Sequence, residues 1–303
     1  MMTIMDRSVL YQINGLEKTQ KISGFLKEKG YSRQNLVDLR KDEQAICLNG
    51  TYVHMNHMLA EGDVLTVWIR ETENSGQIRP VKLPFAIVYE DEDLLVINKP
   101  AGMPVHPSRG NPENSLGNAL AWYFKEQGVP FVFRCINRLD RDTTGALILA
   151  KNPLSAAILS VQMKKRQILR TYLALVDGLL PDSGTINAPI ARMEGSVITR
   201  EVNFGTGESA ITHYERLAAG KEYSLAELHL ETGRTHQIRV HMKYIGHPLP
   251  GDYLYNPDYR RINRQPLHSY QLEFTHPITG KVMLFTAPLP IDFISAFYSN
   301  SLK

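Results

Sequence analysis

The sequence predicts an α+β protein in two units: a small one over residues 1–75, a large one over 84–303, and a linker at 76–83. Three observations predict it. A length of 303 residues with 43% apolar side chains can fill one large core and one small one. The stretch 71–83 is polar and without periodicity, as a linker is. On either side of it, short runs at helical spacing are mixed with alternating β-prone runs.

In the small unit, Ile22, Phe25 and Leu26 recur at helical spacing within Lys18–Lys29, and Gly30 follows as a stop. Ser32 caps a second short helix with Leu36 and Leu39 on one face. Asn49-Gly50 lies between Ile46–Leu48 and Thr51–Val53, the strongest short-range signal for a hairpin. Gly62-Asp63 leads into a last strand, Val64–Ile69. The polar linker then predicts few contacts between this unit and the next.

The large unit opens at Pro84. Phe85–Tyr89 and Leu94–Asn98 read as strands around the acidic turn Glu90–Asp93. Lys99–Pro107 is a shaped loop, because its prolines and glycine forbid regular structure. Ile136–Gly145 is polar and turn-prone, and the unbroken apolar run Ala146–Ala150 behind it reads as a buried strand. Asn152-Pro153 starts a helix with Leu154, Ala157, Ile158 and Val161 on one face and Lys164-Lys165-Arg166 at its C-terminal end. Arg170–Val176 alternates as a strand that puts Tyr172, Ala174 and Val176 on one side. Ala226–Thr232 alternates again and runs into Gly233–His241. There Thr235 is placed to cap a helix bearing Ile238, Met242 and Ile245, whose first turn, with free N–H groups and two arginines, predicts an anion site.

Composition narrows the function. The cysteines are Cys47 and Cys135 alone, without C-x-x-C spacing, which argues against a disulfide framework or a cysteine zinc site and favours the cytoplasm. His236, His241 and His247 are five and six residues apart and do not share a helical face, so no metal is expected there. No apolar run is long enough to span a bilayer, and Met1–Arg7 carries no signal pattern, so no membrane partner is expected. A net charge of +3 permits nucleic acid as a partner without requiring it.

Chemistry concentrates at Asp140, a carboxylate flanked by Arg138 and Arg141 at the lip of a buried strand, where arginine can hold it ionised and aimed. Asp142 and Thr143 beside it read as turn residues, and His106, between two prolines, reads likewise. By periodicity alone Tyr172 and Ile238 are core residues.

Several segments together resemble the RluA-type RNA pseudouridine synthases. Arg138–Gly145 is similar to the motif RLD-x-x-T-[ST]-G, Arg170–Gly178 to R-x-Y-x-A-x-V-x-G, and Thr232–His241 to T-G-R-x-H-Q-I-R-x-H. Asn98–Pro107 resembles the segment N-K-P-x-G-x-x-V-H-P. Ala210–Tyr214 resembles part of a family hairpin, with Thr206-Gly207-Glu208 where the family often has Gly-Lys. The small unit is similar to the S4 RNA-binding module. The family commonly has His where Asn137 stands, and Asn still supplies a donor and an acceptor for the loop.

The resemblance implies a pseudouridine synthase fold, a mixed and mainly antiparallel sheet with flanking helices and loops. It implies isomerisation of uridines in RNA after base flipping, with no cofactor and no metal. Asp140 would be the nucleophile, Tyr172 the aromatic stacked on the target base, and Arg239 the partner of Asp140. Arg138 would fill the space left by the flipped base, and Ile238 would pack against it. Arg234, His236 and Gln237 would line the substrate side, the last two supporting the loop by hydrogen bonds. Large-subunit ribosomal RNA is the leading substrate and transfer RNA the second, acted on by a monomer. Two readings compete. A glycosidase-like hydrolase needs two carboxylates in one site, and only Asp140 sits among supporting residues. A non-catalytic RNA-binding or ribosome-assembly protein would tolerate loss of Asp140, Tyr172 or Arg239, and all three are present.

Overall fold

The computed structural model describes residues 5–15, 19–71 and 75–299, so Lys18 and part of the expected linker lie outside the described residues. The small unit contains β1 (Met5–Gln12), β2 (Gln20–Lys21), α1 (Ile22–Glu28), α2 (Arg33–Lys41), β3 (Ile46–Leu48), β4 (Thr51–Tyr52), β5 (Met58–Leu59) and β6 (Val64–Glu71). Four of the strands form a sheet in the order β1-β6-β3-β4, and β2 pairs with β5. The local signals act as their chemistry requires. Asn49 and Gly50 take φ of 50° and 84°, the left-handed pair of a tight hairpin. Ser32 caps α2 and exchanges bonds with Asn35 in a capping box. Ile22, Phe25, Leu26, Leu36 and Leu39 bury one face of each helix against Leu65 and Val67 of the sheet.

The large unit runs β7 (Ala86–Glu90), β8 (Leu94–Lys99), α3 (Leu116–Glu126), β9 (Thr144–Ala150), α4 (Pro153–Lys164), β10 (Leu169–Asp177), β11 (Ser183–Asn187), β12 (Ile190–Arg192), β13 (Arg200–Val202), β14 (Ile211–Ala219), β15 (Tyr223–Leu230), α5 (Gln237–Tyr244), β16 (Leu267–Thr275), β17 (Val282–Thr286) and α6 (Ile291–Ser299). Its sheet has the order β11-β14-β15-β10-β16-β9-β8-β7, with β17 on β16. Its pairs are antiparallel except β9 with β16. Both faces are covered. Leu147 and Leu149 of β9 share a cluster with Leu120 of α3 and Ile238 and Met242 of α5. Ala146, Ile148 and Ala150 share another with Leu159 of α4. That is why the β9 sequence is apolar without a break. Among the described residues no helix is long and apolar enough to cross a membrane.

Two expectations change. Asn152 caps α4 as expected, accepting from Ser155 N at 2.9 Å, but the apolar stripe is not the one expected. Leu154, Ser155, Leu159 and Gln162 are buried and Val161 is 45% exposed. The helix has two neighbours: Leu154 joins the core of the small unit and Leu159 that of the sheet. Nor are contacts across the linker few. Ile158 packs against the small unit's core, and a Cβ on Gly30 would come within 2.7 Å of it. Arg7 forms a bidentate pair with Asp93, at 3.0 and 2.8 Å, and Asp93 also accepts from Asn152 Nδ2 at 2.9 Å. Glu71 pairs with Arg134. Among its described residues the linker forms no helix or strand but is laid on the large unit, Ser75 N bonding to Phe131 O at 2.9 Å and Val81 N to Asn118 O at 3.1 Å.

Candidate active site

Asp140 stands in the loop before β9, and three devices fix that loop. Asn137 is buried, donates from Nδ2 to Ala146 O at 3.3 Å and accepts from Ile148 N at 2.8 Å, so it fastens the loop to the strand it enters. Lys99 is fully buried, and its Nζ donates to the carbonyls of Pro100, Met103 and Arg141 at 2.7, 2.8 and 2.9 Å, tying the 99–103 loop to the Asp140 loop. Gly145 has φ of 110°, and a Cβ there would meet the Ser269 backbone at 2.2 Å, so only glycine lets β9 and β16 approach so closely. Thr143 N closes a turn on Asp140 O at 3.2 Å.

Arg239 projects inward from α5 and is 1% exposed. Its Nη1 donates to Asp140 Oδ2 at 2.8 Å. Nε and Nη2 donate to the two oxygens of Asp252 at 2.6 and 2.7 Å. One cation is thus shared by two carboxylates. Burial works against its charge, and Asp252 and Asp140 together outweigh that and raise its pKa. The fully buried Asp252 also accepts from Leu254 N at 3.0 Å and Tyr255 N at 3.2 Å. Sequence reasoning passed over it. The only signal was Gly251, whose φ of 70° and close backbone neighbours mark a tight turn. Asp140 keeps a partly exposed side chain, at 27%, and its Oδ1 makes no hydrogen bond among the described residues.

The remaining site residues are placed as follows. Tyr172 is 5% exposed on β10, in one cluster with Leu139 and Ile238. Beside it the register of β10 against β16 slips by one residue, passing over Tyr270. Burial raises its phenol pKa, with Arg170 and Ser269 easing that rise and the charge of Asp140 adding to it. His236 Nε2 lies 3.9 Å from Asp140 Oδ2 and its Nδ1 3.0 Å from the Tyr255 hydroxyl. Burial lowers its pKa, which favours the neutral ring. Arg138 is exposed, makes no hydrogen bond or ion pair among the described residues, and acts on His106, whose pKa burial and Arg138 both lower. Gln237 is buried and spends its amide on the turn: it accepts from Thr232 Oγ1 at 2.7 Å and Arg234 N at 3.0 Å, and donates to Ile211 O at 2.9 Å.

The expected helix start is corrected here. The residue preceding α5 is His236 in the left-handed conformation, φ 58°, and no side chain caps the helix, Thr235 included. The anion site does not form as expected either. Arg239 is turned inward, and Arg234 pairs with Glu208 and donates to Ser209 O at 3.1 Å. His241 bonds Thr212 and Ala188 O, each at 2.9 Å, and His247 bonds Asp177 O at 2.8 Å.

The chemistry this allows is that of a single carboxylate. Asp140 is anchored through Oδ2, and Oδ1 makes no hydrogen bond among the described residues. Asp252 is engaged with Arg239 and sealed from solvent, so the two-carboxylate hydrolase is disfavoured.

Residues 93–244 match a family model described as RNA pseudouridylate synthase. The uncharacterised RNA pseudouridine synthase YjbO of Bacillus subtilis is 41% identical over 266 residues, 88% of this chain and 94% of that protein. The ribosomal large subunit pseudouridine synthase D of Zymomonas mobilis is 44% identical over 230 residues, 70% of this chain and 72% of that protein. Among solved structures, human RNA pseudouridylate synthase domain containing 1 superposes with a TM-score of 0.56 at 26% identity, covering 72% of this chain and 96% of its own.

Proposed function

The chain belongs to the RNA pseudouridylate synthase family, and from that footing we propose that Asp140 is its nucleophile and large-subunit ribosomal RNA its substrate. The observation that carries the first part is the geometry of one carboxylate: Oδ2 bound to Arg239 at 2.8 Å, Oδ1 free. In uridine isomerisation the N1–C1′ bond breaks, the uracil turns, and a C5–C1′ bond forms, while C5 loses a proton and N1 takes one up. Nothing is added and nothing is oxidised. The site must hold an unstacked base, keep water out and offer a charge to the sugar. Arg239 orients Asp140 and offsets the cost of burying it. Tyr172 stacks on the base and moves a proton. Ile238 and Leu139 form the floor, and the exposed Arg138 fills the stack that the base vacates, lowering an unstacking cost of a few kcal/mol. His236, Gln237 and Arg234 support the turn that carries Arg239.

The reading of the substrate is supported by relatives named for the large ribosomal subunit. We read residues 1–75 as an S4-like RNA-binding module and 84–303 as the catalytic domain, acting as a monomer in the cytoplasm without a cofactor. The test is pseudouridine mapping of ribosomal and transfer RNA from cells lacking the gene. Loss of one or more large-subunit positions, restored by the wild-type gene, is expected. Loss confined to transfer RNA would change the substrate, and no loss anywhere would contradict the reading.

A further inference from the structure

Arg170 is a guanidinium beside the site with no carboxylate partner among the described residues. It stands two residues before Tyr172 on β10, on the same side of the strand. Its Nε is buried without a hydrogen bond, and its Nη2 makes one long contact, 3.4 Å, to Thr232 O. Gly233 leaves room for it, since a Cβ there would come within 3.1 Å of Nη1. The guanidinium therefore reaches the turn that leads into α5 and Arg239, from the side of β10 that also carries Tyr172. A buried donor without a partner is costly, and a half-buried charge without a counter-ion more so. Such groups persist where they serve a neighbour. The neighbour here is Tyr172: burial resists loss of its proton, Arg170 eases that most, Ser269 less, and Asp140 acts the other way.

We propose that Arg170 is a positioning residue for the isomerisation, holding the Tyr172 phenol and the Thr232–Gly233 turn in one geometry from which the phenol passes a proton to N1 and regains the one that leaves C5. The inference rests on the reading of Tyr172 as the aromatic of the site. The buried Nε is closed to a phosphate arriving from solvent, and the RNA Kd of the variants separates this role from a grip of the terminal guanidinium nitrogens on the RNA backbone.

The test uses the full chain with Arg170→Met, Arg170→Lys and Gly233→Ala, each alone and combined with Tyr172→Phe. Single-turnover rate and RNA Kd are measured separately on an unmodified large-subunit ribosomal RNA transcript. Arg170→Met is expected to slow the reaction by about tenfold or more with Kd unchanged within about twofold. Arg170→Lys should recover most of that rate, and Gly233→Ala should show a smaller loss of the same kind. On top of Tyr172→Phe, none of them should slow the reaction further, because the effect runs through the phenol. A wild-type rate in Arg170→Met overturns the proposal. So does an undiminished loss in the Tyr172→Phe background, or weaker RNA binding at an unchanged rate, which would make Arg170 an RNA contact. Should Arg170→Met not fold, Gly233→Ala decides, and a wild-type rate there counts against the proposal. A wild-type rate in Tyr172→Phe alone removes instead the reading of Tyr172 beneath it.

Discussion

Asp140 and Asp252 meet on one guanidinium, and that sharing sets the cost of losing it. Arg239→Met leaves two carboxylates facing each other, one of them fully buried. The expected loss is about 3–5 kcal/mol of stability, with activity abolished, read by denaturant unfolding and single-turnover assay. Unchanged stability would mean that the carboxylates find other partners. Lys99 gives a second expectation. Burial lowers its pKa from the ordinary 10.5 to about 7, opposed by Asp142 and Asp140. Between those values the unfolded chain holds a proton that the folded chain has lost, along with one of the three carbonyl bonds of the ammonium, so this group adds stability as pH rises through the window and withdraws it as pH falls towards 7. Lys99→Met should flatten that part of the stability–pH curve, measured by denaturant midpoints at several pH values in both proteins. At this scale Asp140 and Arg239 were legible because they sit in long motifs. Asp252 was not, because Gly251-Asp252 in a sequence describes a turn, and only the fold brings it to Arg239.

Elements place these residues through a few backbone features. Gly145 is the sharpest, since β9 can lie against β16 only if position 145 has no side chain. Gly145→Ala should cost several kcal/mol, roughly 2–4, through strain and overlap at once. A thermal or denaturant midpoint equal to wild type would contradict this. Caps that act within three residues, Ser32 on α2 and Asn152 on α4, could be read directly from the sequence. The start of α5 could not. A left-handed His236 has no propensity signal, and Thr235 looked like the natural cap. The slip beside Tyr172 depends on β16, about a hundred residues away, and no local pattern announces it.

The whole molecule departs most from what its sequence suggests. The polarity of the linker was visible, and the surfaces it joins were not. Leu154 and Ile158 of α4 complete the small unit's core, while Arg7 is the bidentate partner of the buried Asp93. Deleting residues 1–78 should therefore expose an apolar face and leave Asp93 without its cation. The truncated protein is expected to be destabilised and prone to aggregate, measured by soluble yield and thermal midpoint against the full chain. A soluble truncation of unchanged midpoint would show that the interface contributes little. Arg7→Met tests the ion pair alone and should cost roughly 1–3 kcal/mol.

The role proposed for Asp140, the carboxylate that drives the isomerisation, rests on one side chain. The most direct measurement is pseudouridine formation by purified Asp140→Asn on unmodified large-subunit ribosomal RNA, with RNA affinity and thermal midpoint taken on the same preparation. The side chain keeps its size and loses its charge. RNA binding and folding near wild type, with no detectable pseudouridine, are the expected result. Turnover close to wild type would contradict it.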